Sequence, residues 1–321
     1  VAGGGTVFDS ARLIHPQMSR GAAVLAVDGH ALLMASLLRL TRGHYLDLRQ
    51  AGQPTFAARC AALLAANPVD TIAVGTTAAA LHGLWLPDEP SVPEFATCQP
   101  GRQAAAMTRS RRPELRSHRR QICSADRTVV RGIPTTTLAR TWWDLATELS
   151  LPDLVAAGDR ALQLGCSTEQ LSELVRRMAR RQGNRRARLA YPLLDSRSRS
   201  RPETHLRVAV REAGLHCFEV NHPVVDEAGE WLAEPDLSCS EAGIALEYQG
   251  SEHADLARMR RDITRATDLR QRGWLVLYYG PAQVFRRPWQ IGPELRQLVE
   301  QRCPGLLRHP PVGSSGTSGQ L

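Results

Sequence analysis

The chain has 321 residues, 43% of them hydrophobic and 5% aromatic, with a net charge of +8 and a pI near 9.6. That length suits two or three packed domains, and the basic balance favours an anionic partner, nucleic acid first. All forty basic residues are arginine, which excludes a Walker A loop, a Schiff-base lysine and a pyridoxal-phosphate site.

In chain order, residues 21–40 are apolar and compatible with a helix, and Thr41–Leu48 turn at Gly43 into a short strand. Helices followed by a basic hairpin describe a winged-helix-like region, assigned to residues 1–90. Thr55–Ala66 form an Ala-rich helix. Asp70–Gly75 read as a short strand or turn, and Thr76 or Thr77 then caps a helix that runs to Gly83. Val92–Cys98 reads as a strand, with strand-like pieces at Leu115–His118 and Thr128–Val130. Gly132-Ile133-Pro134 breaks the chain. Thr135–Thr147 is predicted helical, with Leu138, Trp142 and Leu145 on one face. The Trp142-Trp143 pair reads as core.

Helices continue at 151–163, at 168–181 behind Ser167 or Thr168, and at 184–194. They close a middle region, mixed and then helical, over 91–195. Seven arginines between Arg176 and Arg188 read equally as a solvated face or as a ridge that contacts phosphates. Asp195–Arg201 reads as a linker. The Gly/Ser/Pro-rich end, 306–321, reads as disordered.

The segment 196–305 has its own order. Pro202 opens a helix that ends at Gly214. Strands are predicted at Cys217–Val225, Trp231–Leu237 and Gly243–Tyr248, with a hairpin turn at Asp226–Glu230. A long basic helix covers Ala254–Arg272 and stops at Gly273. A fourth strand follows at Trp274–Tyr279, and a last helix at Pro288–Gln301. Asp236 ends one short apolar strand and Glu247 lies on the next. Two carboxylates held so can bind a hard divalent cation, Mg²⁺ or Mn²⁺, and the Tyr248 carbonyl could add a neutral oxygen. The same acids could also be plain polar ends of a hairpin.

The αβββαβα order is that of the PD-(D/E)-x-K nuclease core, with Gln249 where a lysine would stand. Arg201-Pro202-Glu203, Pro235-Asp236, Leu246-Glu247-Tyr248-Gln249-Gly250, His253, Arg261-Asp262 and Gly273-Trp274-Leu275-Val276 resemble a very-short-patch-repair-like endonuclease-domain family of unknown function. Leu38–Tyr45, Ala78–Leu84 and Gly132–Thr141 more loosely resemble the antitoxin-like region that often precedes that domain. The resemblance implies a mixed α/β protein: a restriction-endonuclease-like core after a mostly helical, winged-helix-like region. It also implies that Glu203 completes or orients the ligand shell, although a first-turn acid equally suits the helix dipole.

Gln249 can orient a water but brings no charge, or is simply a polar strand position. His253 could serve as base, acid or phosphate contact, or cap the following helix. Arg260, Arg261 and Arg265 could supply the missing positive charge toward DNA. The expected function is a metal-dependent DNA endonuclease with an N-terminal DNA-binding, regulator-like region. The alternative is a non-catalytic DNA-binding or antitoxin-like protein that retains the nuclease fold. No nucleotide cofactor is expected. There is no GxGxxG, GxSxG or HExxH, and the seven scattered cysteines lack zinc spacing. With no long apolar run, the expectation is a cytoplasmic protein with no membrane partner and reduced thiols.

Overall fold

The computed structural model describes residues 13–14, 37–41, 44–47, 55–65, 67, 70–97, 115–120, 122–226, 228–250 and 266–308. In chain order its elements begin with β1 (Leu13–Ile14), β2 (Leu37–Thr41), β3 (His44–Asp47), α1 (Phe56–Ala65), β4 (Thr71–Ala73) and α2 (Gly75–His82). Next come β5 (Glu94–Thr97), β6 (Arg116–Arg119), β7 (Arg127–Val130), β8 (Ile133–Thr136), α3 (Leu138–Leu145), α4 (Leu151–Gln163), α5 (Thr168–Arg177) and α6 (Asn184–Ala190). The last are α7 (Arg201–Glu212), β9 (Glu219–Val220), β10 (Val224–Val225), β11 (Trp231–Ala233), β12 (Leu237–Cys239), β13 (Ile244–Tyr248), β14 (Leu275–Tyr279) and α8 (Ile291–Arg302). The architecture is mixed α/β, in two compact units. The first comprises Val1–Glu148 and Cys166–Ala187, the second Leu149–Gly165 and Arg188–Leu321.

The first unit is built on a five-stranded sheet in the order β6-β5-β4-β8-β7. Four of its strands fall where strands are expected, and the fifth, β8, replaces the start of the helix expected over Thr135–Thr147. Short runs such as Ile133–Thr136 are too brief for periodicity to separate strand from helix, and β-branched residues settle them as strand. Thus Thr135 and Thr136 extend β8, and the helix starts only after Thr137, whose hydroxyl accepts from the Arg140 N–H. Gly132-Ile133-Pro134 is not a break, because Arg131 and Gly132 turn with φ of 52° and 77° and join β7 to β8 as a hairpin. Likewise Leu37–Leu40 are strand, paired with β3, not the end of a helix.

Thr76 and Thr77 do not cap α2, which starts one residue earlier at Gly75. Their hydroxyls instead engage Glu94 on β5. One sheet face packs Ala73, Phe95 and Ile133 against Cys60 and Leu63 of α1. The opposite side buries Ile72, Val74, Ala96 and Ile122. Trp142 is fully buried and Trp143 nearly so.

The second unit has a four-stranded sheet, β14-β13-β12-β9, and a β10–β11 hairpin. β12 runs antiparallel to both β9 and β13, and β14 is parallel to β13. Leu206 and Val210 of α7, with Leu295 and Val299 of α8, cover one face over Val220, Leu237, Ile244 and Leu246. The helices meet closely: a Cβ on Gly292 would lie 2.5 Å from that of Ala213. On the other face Ala245 and Val276 meet Leu269, in the helical segment 266–271.

α4 joins this unit through a buried polar contact. Asp159 accepts from Arg207 Nη2 at 2.6 Å and from the Thr204 hydroxyl at 2.7 Å. Asp195–Arg201 is therefore no loose linker. Ser198 is fully buried, its hydroxyl accepts from Arg207 Nε, and the Ser196 and Ser198 carbonyls accept from Gln163. The six cysteines among the described residues are unbridged. No helix among those residues is long and apolar enough to cross a membrane.

Candidate active site

Strand register brings the acids together. Leu237 faces Leu246 across β12 and β13, and Leu237 faces Val220 across β12 and β9. One residue further along, Asp236 stands opposite Glu247 on one side and Asn221 on the other. The latter pairing is sealed by the Asn221 N–H, which donates to the Asp236 carbonyl at 3.1 Å. Glu247 in turn pairs with Tyr278 of β14. The result is a cross-strand row, Asn221–Asp236–Glu247–Tyr278. Directly opposed residues hold their Cβ atoms about 5 Å apart, and like charges so placed repel.

The electrostatics match that geometry. Burial pushes the Asp236 carboxyl up to about 8, with Glu203 and Glu247 adding to the shift. A hydrogen bond from the Tyr248 N–H to Oδ2, at 2.7 Å, and the charge of Arg199 oppose it. Glu203 thus lies within electrostatic reach of Asp236.

Glu203 arrives from the first turn of α7. Ser200 caps that helix, and its hydroxyl also donates to Glu203 Oε1 at 2.9 Å. Glu203 Oε2 accepts the Arg199 N–H at 2.7 Å and Asn221 Nδ2 at 3.3 Å. The Arg199 guanidinium pairs with Glu234. Asn221 holds φ at 43°, in the left-handed region that a short polar side chain tolerates, and its Nδ2 also donates to the Arg197 carbonyl at 2.7 Å.

The remaining expected residues divide into two groups. Gln249 follows β13, exposed, with its N–H donating to the Tyr279 carbonyl at 2.9 Å. His253, Arg260, Arg261 and Arg265, with Asp262, lie outside the described residues. Sequence reasoning misses Arg199, Asn221 and Tyr278. The pattern Asn221-His222-Pro223 carries a turn signal that could have marked the first of the strand positions. The others are visible only through register and helix capping. Among the described residues no group of three His, Cys, Asp or Glu side chains gathers closely enough to form a ready cation site.

Away from the row, His205 Nε2 lies 2.9 Å from Asp153 Oδ1 and is structural. Asp153 is partly buried, but hydrogen bonds from His205, Ser150 and Arg201 outweigh that burial and hold its carboxyl well below the usual carboxylate range.

No family model matches the chain, and no solved structure matches it. Two proteins from two Mycobacterium tuberculosis strains are similar to it at 28% identity over 272 residues. The match covers 84% of this chain and 95% of each relative. Both relatives are described as uncharacterized, so the likeness extends over both units without naming an activity.

Proposed function

We propose that the second unit is a metal-dependent endonuclease domain acting on DNA phosphodiesters, joined to a regulator-like N-terminal unit. The observation that carries the reading is the register that sets Asp236 opposite Glu247 with Glu203 in electrostatic reach, where burial first and these two acids second raise the Asp236 carboxyl to about 8. A buried acid with two acids acting on it favours added positive charge beyond that of Arg199, and hard oxygen donors suit Mg²⁺ or Mn²⁺. The element order also supports a restriction-endonuclease-like core: α7, the β9–β12 strands, β13, a helix ending at residue 271, β14 and α8.

Asp236, Glu247 and the Tyr248 carbonyl would hold the cation, and Glu203 would orient the shell. When bound, the ion would neutralise phosphate charge and make a water more acidic. The chain's own residues do the rest. Ser200, the Arg199 N–H and Asn221 fix the Glu203 carboxylate. Arg199 brings positive charge toward both Glu203 and Asp236. Gln249, exposed at the strand end, can orient a water through its amide.

A second reading, a non-catalytic DNA-binding or antitoxin-like protein on the same scaffold, is favoured by one observation: Gln249 stands where a lysine would carry charge, and the chain has no lysine. Incubating the full chain with plasmid DNA and Mn²⁺ separates the two. The nuclease reading expects cleavage that Asp236→Asn and Glu247→Gln reduce by more than about a hundredfold, since even partners outside the ligand set can cost 10–100-fold. Cleavage unchanged in both variants would sink it. Absent cleavage with intact DNA binding would favour the second reading.

A further inference from the structure

Between Leu174 and Leu194 the chain carries seven arginines and no acidic residue. The part of this stretch in the first unit is the end of α5, a turn over 178–183 and the start of α6. Three anchors fix that turn from below. Gly183 holds φ at 87°, and a Cβ there would lie 2.8 Å from Thr147 Cγ2, so the backbone rests directly on the chain just after α3. Asn184 is buried, and its Oδ1 accepts from Trp143 Nε1 at 2.9 Å. Arg186 donates to the Ala146 carbonyl at 3.0 Å.

Some of the positive charge is already engaged. Arg177 pairs with buried Asp126, and Arg176 pairs with Glu173. Arg180, Arg181 and Arg185 are exposed, and none of them ion-pairs with a described acid. Beside them a cavity of about 710 Å³ is lined by Arg120, Arg181, Gln182 and Trp143, with Asp144 and Glu148 also on its wall. The Asp144 carboxylate is held by Arg140 and Arg120, each at 3.1 Å.

Like charges carried on one short turn repel, and a turn so anchored cannot spread to relieve them. A polyanion supplies the missing counter-charge, and a rigid turn gives up little entropy on docking. No aromatic residue lies between Leu174 and Ala190, and Trp143 on the cavity wall is nearly buried, so the turn itself carries no exposed stacking platform of the kind single strands use. Duplex DNA, with one charge per about 1.7 Å of axis, needs none.

We propose that the 178–186 turn of the first unit is a docking surface for the backbone of duplex DNA, with Arg180, Arg181 and Arg185 contacting phosphates. This surface is separate from the carboxylate row of the second unit and requires no metal.

The test is fluorescence anisotropy of the full chain with a short labelled duplex, in EDTA, over a salt series. The triple variant Arg180→Ala, Arg181→Ala, Arg185→Ala is compared with a charge-matched control, Arg270→Ala, Arg286→Ala, Arg287→Ala. Each lost phosphate contact flattens the slope of log affinity against log salt by about 0.9, so the triple variant should flatten it by about 2 to 3. Its melting temperature should stay the same or rise, because repulsion is relieved. The control should keep the wild-type slope. Equal losses in triple variant and control would overturn the proposal. So would tighter binding of single-stranded DNA, duplex RNA or polyglutamate than of duplex DNA. Loss of docking with Mn²⁺ uptake intact would leave the proposed cleavage centre standing.

Discussion

Both units withdraw carboxylates from solvent and pair most of them with bases, but Asp236 of the second keeps the opposite company. In the first, Asp126 accepts from Arg140 Nη1 at 3.1 Å and pairs with Arg177. Glu94 accepts from the Thr76 hydroxyl at 2.6 Å and lies 2.8 Å from His118 Nε2. Burial alone would raise both acids, yet these partners hold each below its ordinary value. In the second unit, Asp236 is also desolvated but faces Glu203 and Glu247, and it is raised. Acids that are buried and paired with bases hold a fold together. An acid enclosed among acids weakens it, and such a cost is commonly kept at functional positions. The contrast separates scaffold from candidate site.

The largest expected effect tests the scaffold side. Asp126→Ala strands Arg140, itself buried, and removes the partner of Arg177. It should cost about 3–5 kcal/mol in urea unfolding. A loss well under about 1 kcal/mol would show that these pairs are dispensable.

The opposite sign is expected in the other unit. With metal chelated, Asp236→Asn removes an acid that must take up a proton to be buried beside Glu247, and near neutral pH it should stabilise the chain by on the order of 1 kcal/mol. A clear destabilisation would mean that Asp236 is held as a structural acid.

The smallest effect is the pH dependence of each contribution. Asp126 sits below its unfolded value, so its stabilisation is present above about pH 4 and fades as the pH falls through its folded pKa. Asp236 sits above its unfolded value. Its contribution is complete below about pH 4 and is lost as the pH rises toward about 8. Unfolding free energies of the wild type minus Asp126→Asn, and minus Asp236→Asn, should therefore move in opposite directions with pH. Parallel curves would erase the distinction.

The two regions also differ in how far the sequence discloses them. Asp236 and Glu247 can be found because short apolar strands punctuated by glycine-bearing turns are readable, here Asp226-Glu227-Ala228-Gly229, whereas Glu203 enters only through the family resemblance. Asn221, Tyr278 and Arg199 are not readable. Their places depend on register between strands distant in sequence, and on a helix cap that turns an expected linker into packed structure. In the first unit the sheet is obscured around Thr135–Thr136 because four-residue strands carry almost no periodic signal. The buried Asp126–Arg140–Asp144 network is equally hidden, since an i,i+4 pair on a helix is ordinarily a surface feature.

The most direct test of the carboxylate row is calorimetric titration of Mn²⁺ into the full chain, repeated near neutral pH in buffers of different ionisation enthalpy. Because Asp236 is held protonated there, uptake of one ion should release a proton, and the measured heat should vary with the buffer. Asp236→Asn should abolish both. Absence of Mn²⁺ uptake by the wild type, or equal uptake by wild type and variant, would contradict the assignment of Glu203, Asp236 and Glu247 as a cation site.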